Sequence, residues 1–253
     1  MNNKKIVIFS DMDGSLLNSR YEYGEIEPTL RRILSLDASV VLASSKTRVE
    51  LAYYRSKLQI PDPYITENGS LIVVPKQYFK QQPTFSKKTA EERLIELGTP
   101  YTLIREKLEC VKNQTGAGIV GFGDLTVEEV AKDTGLSLDL AALAKQREYS
   151  EPFKIISGDK SRVLRALWAS GVCCVEGGRF LTALACVDKG EAVTVLKELY
   201  LGQFDNVFTV GVGNGENDLT MLDAVDKPFF IRNDGEIRLV WQEIRHMVEL
   251  NTH

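Results

Sequence analysis

The chain has 253 residues, with 31 Lys and Arg against 35 Asp and Glu, and a formal net charge of -4. A content of 43% hydrophobic and 26% charged residues is ordinary for a globular protein, and it excludes disordered and collagen-like chains. The acidic balance argues against a dedicated nucleic-acid binder, and no apolar run is long enough to span a membrane. We expect one large domain or two unequal ones, in a soluble cytoplasmic protein.

The supply of reactive side chains restricts the possible chemistry. His246 and His253 are the only histidines, and both lie near the C-terminal end, so histidine chemistry is not expected. The four cysteines show neither CxxC spacing nor neighbouring histidines, so we expect reduced core residues rather than zinc ligands or a disulfide framework. These cysteines are Cys110, Cys173, Cys174 and Cys186. Catalysis would have to use carboxylates, lysine, hydroxyls or a metal.

The beginning and the end of the chain alternate between strand and helix patterns. Continuous apolar runs at 6–9, 40–43, 207–210 and 228–231 are typical of strands buried on both faces of a sheet, and helical spacing occurs at 26–36, 191–200 and 219–225. This alternation predicts a doubly wound parallel α/β core, with polar residues collected at the carboxyl ends of the strands. Asn68-Gly69, between two apolar runs, favours a tight hairpin turn over a ligand site.

The middle of the chain follows an α+β pattern instead. It predicts helices at 101–114, 126–135, 138–145 and 160–170, and short strands near 119–120, 153–156, 172–175 and 180–184. We therefore predict an α+β unit at residues 82–186, inserted into an α/β core that comprises residues 1–81 and 187–253.

Two carboxylates follow the first predicted strand. Asp11 and Asp13 are two residues apart, so on an extended chain their side chains share a face, and their repulsion calls for a cation or water. A surface turn is the simpler alternative, because Asp and Gly are turn residues. An EF-hand loop is rejected, because Leu16 stands where the sharp turn needs glycine and a strand precedes the loop.

Other polar residues also follow predicted strands or open predicted helices. Each alone fits a helix cap, a surface lysine or a Gly/Asn turn, and the loop at 211–218 lacks the third glycine of a dinucleotide fingerprint. Parallel topology nevertheless gathers such positions in one crevice. The positions in addition to Asp11 and Asp13 are Ser44, Lys189, Asn214, Asn217 and Asp218.

The order and content of these segments resemble the haloacid dehalogenase superfamily of phosphotransferases, whose first motif, DxDG[ST]L after a hydrophobic strand, is matched by DMDGSL at 11–16. Further stretches are similar to mannosyl-3-phosphoglycerate phosphatases, a family of the Cof-like branch with an inserted α+β cap. These stretches are VLASSKTR (41–48), TENGS (66–70), GFGD (121–124), TGL (134–136), QREYSEPF (146–153) and GGRF (177–180).

The resemblance implies a catalytic mechanism. Asp11 would be the nucleophile that forms an aspartyl-phosphate, and Asp13 the general acid and base. Ser44 and Lys189 would hold phosphoryl oxygens, and Mg²⁺ would supply positive charge. The implied metal ligands are Asp11, Asp13, Asn214 and Asp218. Asn214 departs from the family, because it stands where an acidic ligand is usual; an amide oxygen brings no charge, so we expect weaker metal binding.

The resemblance also implies a small-molecule substrate, a phosphorylated sugar-acid ester bound in the cap. Arg147 and Arg179 would pair with its carboxylate. Ser150 would donate a hydrogen bond, and Gly178 would let the backbone approach closely. Two other functions remain open: a sugar phosphomutase or phosphotransferase of the same fold, or, because of Asn214, a metal-impaired protein that binds a phosphorylated ligand without catalysis.

Overall fold

The structure, a computed structural model, describes residues 4–80, 84–177 and 179–251. Twelve strands within these residues form two sheets. In chain order they are β1 (Lys5–Ser10), β2 (Ser39–Ala43), β3 (Tyr64–Thr66), β4 (Leu71–Pro75), β5 (Lys87–Lys88), β6 (Glu92–Glu96), β7 (Gly118–Gly121), β8 (Ser150–Ser157), β9 (Cys173–Gly177), β10 (Phe180–Leu184), β11 (Val207–Gly213) and β12 (Lys227–Phe230).

Nine α-helices lie in the same described part of the chain. They are α1 (Glu27–Ser35), α2 (Arg48–Leu58), α3 (Tyr101–Thr115), α4 (Val127–Thr134), α5 (Leu138–Ala144), α6 (Lys160–Ala169), α7 (Lys189–Leu201), α8 (Leu219–Asp223) and α9 (Asp234–Asn251). No helix among the described residues combines the length and the apolar character that crossing a lipid bilayer requires.

The large sheet has the strand order β12-β11-β1-β2-β3-β4-β6-β5. The first five strands of this order run parallel, and β4, β6 and β5 are added antiparallel. Alternate residues of β1 point into different cores: Ile8 packs in the cluster that contains Leu30 and Trp241, whereas Phe9 packs in the cluster that contains Leu196. Helices cover both faces, which confirms the predicted doubly wound α/β core.

The second sheet is antiparallel, with the order β7-β8-β10-β9. Helices α3 and α6 pack on it around a core that includes Phe153, Val163 and Leu167. This confirms an α+β unit in the middle of the chain. The sheet pairing differs from the predicted start at residue 82, because β5 and β6 hydrogen-bond with β4 and so extend the large sheet through residue 96.

The cysteine prediction is wrong for one pair. Cys173, the first residue of β9, and Cys186, two residues beyond β10, form a disulfide with a Cα–Cα distance of 5.0 Å, while Cys110 and Cys174 are free thiols. The bond is possible because β9 and β10 are antiparallel neighbours, which brings the two Cα atoms within bonding range. Sequence spacing carries no signal for it, since the pairing depends on strand register.

Candidate active site

The strand ends of the large sheet bring separate loops to one edge. Ser10, the last residue of β1, lies opposite Leu42 of β2 and Val212 of β11. The segments that follow these three strands therefore begin side by side, and the N-terminus of α7 packs against the same region. The predicted crevice of post-strand residues is formed in this way.

A buried ion-pair cluster lies at this edge. The Lys189 Nζ is 2.7 Å from Asp11 Oδ1 and 2.7 Å from Asp218 Oδ1, and all three side chains are buried. Burial raises the pKa of Asp11 to about 6, against the opposing charge of Lys189. Burial alone would lower the pKa of Lys189, but the carboxylates of Asp11 and Asp218 outweigh it and raise that pKa. Lys189 is therefore held charged beside the predicted nucleophile.

Asp13 is paired with a lysine that the sequence did not single out. The Lys46 Nζ lies 2.7 Å from Asp13 Oδ2, and the Lys46 side chain is 8% exposed while that of Asp13 is 44% exposed. Burial would lower the pKa of Lys46, but Asp13 and Glu50 raise it, so the ammonium stays charged. The position of Lys46, two residues after Ser44 beyond a predicted strand, was a signal that the sequence offered.

Asp218 has both carboxylate oxygens occupied by the chain itself. Oδ1 accepts from Lys189, and Oδ2 accepts from the backbone N–H groups of Asn214 and Gly215 at 2.9 Å each. Asp218 therefore fixes the loop that carries Asn214, and its charge reaches the site through Lys189. The Asn214 side chain lies against Gly14: a Cβ at Gly14 would be 2.2 Å from Asn214 Nδ2.

The donor set can be tested against the Mg²⁺ that the sequence implies. Asp13 Oδ1 is buried and has no hydrogen-bond partner, as expected of an oxygen that faces a bound substrate with its hydrated metal ion. Asp11, Asp13 and Asn214 offer oxygen donors, which Mg²⁺ prefers. Among the described residues no group of three or more His, Cys, Asp and Glu is arranged to hold a metal, in keeping with an amide at 214. The residues fit Mg²⁺, with one carboxylate fewer than the family motif.

Ser44 is at the expected edge but is not open to the cleft. It is buried, its Oγ accepts from the Lys46 N–H at 3.3 Å, and its carbonyl accepts from the Asn68 N–H at 3.0 Å. Its hydroxyl therefore shapes the loop that carries Lys46, and its O–H remains available as a donor.

A cleft of about 640 Å³ lies between the large sheet and the cap. Asp11, Asp13 and Asn214 line its floor, and Arg147 and Arg179 line its cap side. The Arg147 guanidinium donates to the carbonyls of Ser45, at 2.7 Å, and Ala144, at 2.8 Å, so it joins cap to core. Arg179 is exposed and donates to the carbonyl of Asp133.

The other two predicted cap residues are placed differently. Ser150 is fully buried, does not line the cleft, and donates its hydroxyl to Glu67. Gly178 lies outside the described residues.

The turn at 67–69 contributes more than its sequence suggested. It joins β3 to β4 as the predicted hairpin, with Glu67 at φ 47° and Asn68 at φ 57°. Buried Glu67 accepts hydrogen bonds from the backbone N–H groups of Glu148 and Tyr149 at 2.9 and 3.1 Å. Asn68 lines the cleft, and its Oδ1 accepts from the Asn217 amide at 3.2 Å. No sequence signal beyond Asn-Gly marked these roles.

Known proteins share this fold, and part of the sequence matches a known family. A model of the haloacid dehalogenase-like hydrolases matches residues 8–103. A haloacid dehalogenase-like hydrolase from Bacteroides thetaiotaomicron has the same fold, with a TM-score of 0.63 and 18% identity, covering 95% of this chain and 100% of that one. Because relatives that are 39% and 35% identical over most of this chain are phosphatases, the chain belongs to the haloacid dehalogenase-like hydrolases and is a phosphatase, a phosphoric monoester hydrolase.

Two relatives are similar over nearly their whole length. The chain is 39% identical to a glucosyl-3-phosphoglycerate/mannosyl-3-phosphoglycerate phosphatase of Methanococcoides burtonii, over 96% of this chain and 91% of the relative. It is 35% identical to a mannosyl-3-phosphoglycerate phosphatase of Pyrococcus horikoshii, over 89% of this chain and 90% of that relative.

Proposed function

We propose that this phosphatase is Mg²⁺-dependent and hydrolyses a glycosyl-3-phosphoglycerate, with mannosyl-3-phosphoglycerate as the first candidate and mannosylglycerate and phosphate as products. The observation that carries the proposal is the contact of Lys189 with Asp11 beneath a cleft whose opposite side carries Arg179. The names of the relatives support the substrate class, and an exposed guanidinium suits the carboxylate of a phosphoglycerate ester.

The residues of the site support a two-step reaction. An Asp11 carboxylate oxygen attacks phosphorus, the bond from phosphorus to the ester oxygen breaks, and that oxygen takes a proton from Asp13. Asp13 then accepts a proton from the water that attacks the aspartyl-phosphate, which releases phosphate and restores Asp11. Lys189 holds the phosphoryl oxygens beside the nucleophile, while Ser44, which does not line the cleft, shapes the loop that carries Lys46.

Charge explains why a cation belongs to the proposal. The carboxylates of Asp11 and Asp218 share the single ammonium group of Lys189, so an incoming phosphate dianion adds negative charge beside carboxylates that already outnumber their cation. Mg²⁺ held by Asp11, the Asp13 carbonyl and Asn214 would offset the charge that develops on the phosphoryl group.

The test is phosphate release from mannosyl- and glucosyl-3-phosphoglycerate by the purified chain, with magnesium and with EDTA. We expect release with magnesium and none with EDTA; undiminished release in EDTA would overturn the metal requirement. In water labelled with ¹⁸O, hydrolysis puts label into the released phosphate, whereas a phosphomutase or phosphotransferase does not. If neither ester released phosphate at any magnesium concentration, the result would favour the alternative of a protein that binds a phosphorylated ligand without catalysis.

Cytoplasmic location is part of the proposal. Because disulfides are rare in a reducing cytosol, the Cys173–Cys186 bond counts against this location, and alkylation during cell lysis tests it: free thiols at both positions in the cell would support the cytoplasm. A bonded pair under those conditions would argue against this location.

A further inference from the structure

The strongest feature that the proposed reaction leaves unused is Lys46. This residue lines the cleft, its side chain is almost completely buried, and its ammonium is in direct contact with Asp13 and with none of the other carboxylates of the ion-pair cluster around Lys189. We propose that Lys46 is the positioning residue for Asp13: it holds that carboxyl group at the ester oxygen of the substrate. The inference rests on the proposed function, because it concerns the proton transfer in that reaction.

Lys46 is itself rigidly held. Its backbone N–H donates to Ser44 Oγ at 3.3 Å, and its carbonyl accepts from the Glu67 N–H at 3.0 Å. Its ammonium lies 5.4 Å from the ring centre of Tyr21 and 5.8 Å from that of Tyr54, close enough for cation–π attraction. Backbone bonds and aromatic rings together leave the ammonium little freedom.

Asp13 lacks comparable restraint apart from Lys46. Its side chain is 44% exposed, one carboxylate oxygen is bonded to Lys46, and the other has no hydrogen-bond partner. A rigid cation therefore fixes a carboxyl group that would otherwise sample several rotamers. Displacement of a catalytic group by about 1 Å can cost about 10²-fold in rate, so this restraint matters for catalysis.

The same contact sets which oxygen of Asp13 can carry the proton. Lys46 donates to Oδ2 at 2.7 Å, so Oδ1, which has no hydrogen-bond partner, is the oxygen left to hold the proton that goes to the leaving oxygen. The electron pair of the broken bond between phosphorus and oxygen stays on the leaving oxygen, which carries the proton away. Lys46 neither gains nor loses a proton.

The dependence of rate on the leaving group separates this role from general substrate binding. An alkyl ester such as glycerol phosphate needs protonation of its leaving oxygen, whereas p-nitrophenyl phosphate does not. In Lys46→Met with magnesium, we expect single-turnover phosphorylation of Asp11 by the alkyl ester to fall by about 10²-fold. Phosphorylation by p-nitrophenyl phosphate should fall by less than about threefold.

The second step gives an independent readout. Because Asp13 also activates the attacking water, Lys46→Met should show a burst of one equivalent of p-nitrophenol followed by slow turnover, with acid-stable phosphoenzyme accumulating. Asp13→Asn combined with Lys46→Met should be no slower than Asp13→Asn alone, since both changes remove one function. Lys46→Arg, which keeps the charge, should retain most of the alkyl rate.

Lys57→Met is the matched control, because Lys57 is an exposed lysine of α2 and should leave both substrates unaffected. Equal losses for both esters, or a higher KM with unchanged leaving-group dependence, would overturn the inference in favour of substrate binding. If the methionine variant does not fold, Lys46→Gln allows the same comparison. Failure of the unmodified chain to hydrolyse either ester would count against the proposed phosphatase reaction and not against the Lys46 assignment alone.

Discussion

The two sides of the cleft are built differently. On the large-sheet side, Asp11 and Asp13 each pair with a lysine from another segment of the chain before any substrate is present. On the cap side, Arg179 is exposed and donates to one backbone carbonyl, while Arg147 bonds two backbone carbonyls. The fold therefore fixes the charges that act on phosphorus, and of the two cap arginines it leaves only Arg179 free to turn toward a substrate.

This contrast assigns different kinetic signatures to the two sides. Groups held in place before binding act mainly on the transition state, so their loss should lower kcat. Groups that engage the substrate only on arrival should act mainly on KM when removed. A substitution on the large-sheet side that changes only KM, or one on the cap side that changes only kcat, would show that the two sides do not differ in this way.

The largest effect is expected at the nucleophile. Asp11→Asn removes the carboxylate that accepts the phosphoryl group, and we expect kcat to fall by about 10⁴-fold or more, with no phosphoenzyme. Phosphate release and acid-quench labelling measure both quantities. Asp205→Asn, at an exposed position, is the control. Turnover above about a tenth of the original would rule out Asp11 as nucleophile.

The second-largest effect is expected at Glu67, which connects the large sheet to the cap. Glu67→Ala leaves the N–H groups of Glu148 and Tyr149 and the Ser150 hydroxyl without their buried acceptor. We expect the free energy of unfolding to fall by about 3 kcal/mol, measured by urea denaturation. Glu106→Ala on the exposed face of α3 should change it little. An unchanged urea midpoint for Glu67→Ala would mean that the turn does not join the sides.

Arg179 tests the cap side. In Arg179→Ala we expect KM for the glycosyl-phosphoglycerate to rise about tenfold with kcat nearly constant, because a carboxylate partner is lost. The KM for p-nitrophenyl phosphate, which has no carboxylate, should stay the same. Arg165→Ala, also exposed in the cap, is the control. A fall in kcat on both substrates would contradict a recognition role.

The smallest effect concerns the metal. Asn214→Asp restores a carboxylate, and we expect the Kd for Mg²⁺, measured by titration calorimetry without substrate, to fall about fivefold. Asn206→Asp, exposed and away from the crevice, should leave it unchanged. Equal magnesium affinity for the 214 variant and the unmodified chain would show that the amide suffices.

The features that could be predicted from the sequence are those that depend on a pattern within one segment of the chain. The sequence predicts β1 from its apolar run. It also predicts which residues meet in the crevice, because those residues directly follow β1, β2 and β11, and parallel strands end at one edge of the sheet. Helix α2 was missed, because few of its residues are buried and its apolar periodicity is weak. Its capping box of Thr47 and Glu50 was a usable signal.

Contacts between side chains that are far apart in the sequence could not be predicted from it. The bond between Lys46 and Asp13 requires two loops to face each other, and the Cys173–Cys186 bond requires one register of β9 on β10. Ser150 was expected to bind substrate in the cleft, but its side chain is buried and its hydroxyl donates to the carboxylate of Glu67. Patterns along one segment do not encode such geometry.

The C-terminal helix α9 also shapes the first catalytic loop. The Trp241 indole N–H donates to the Ser15 carbonyl at 2.9 Å, a contact between residues 226 positions apart. Strand β1, which precedes the other described strands along the chain, likewise gains its neighbour β11 only about 200 residues later. During synthesis on a ribosome, the loop with Asp11 and Asp13 must therefore wait for the last helix, and a nascent chain stalled before residue 241 should be inactive although every catalytic residue has been translated.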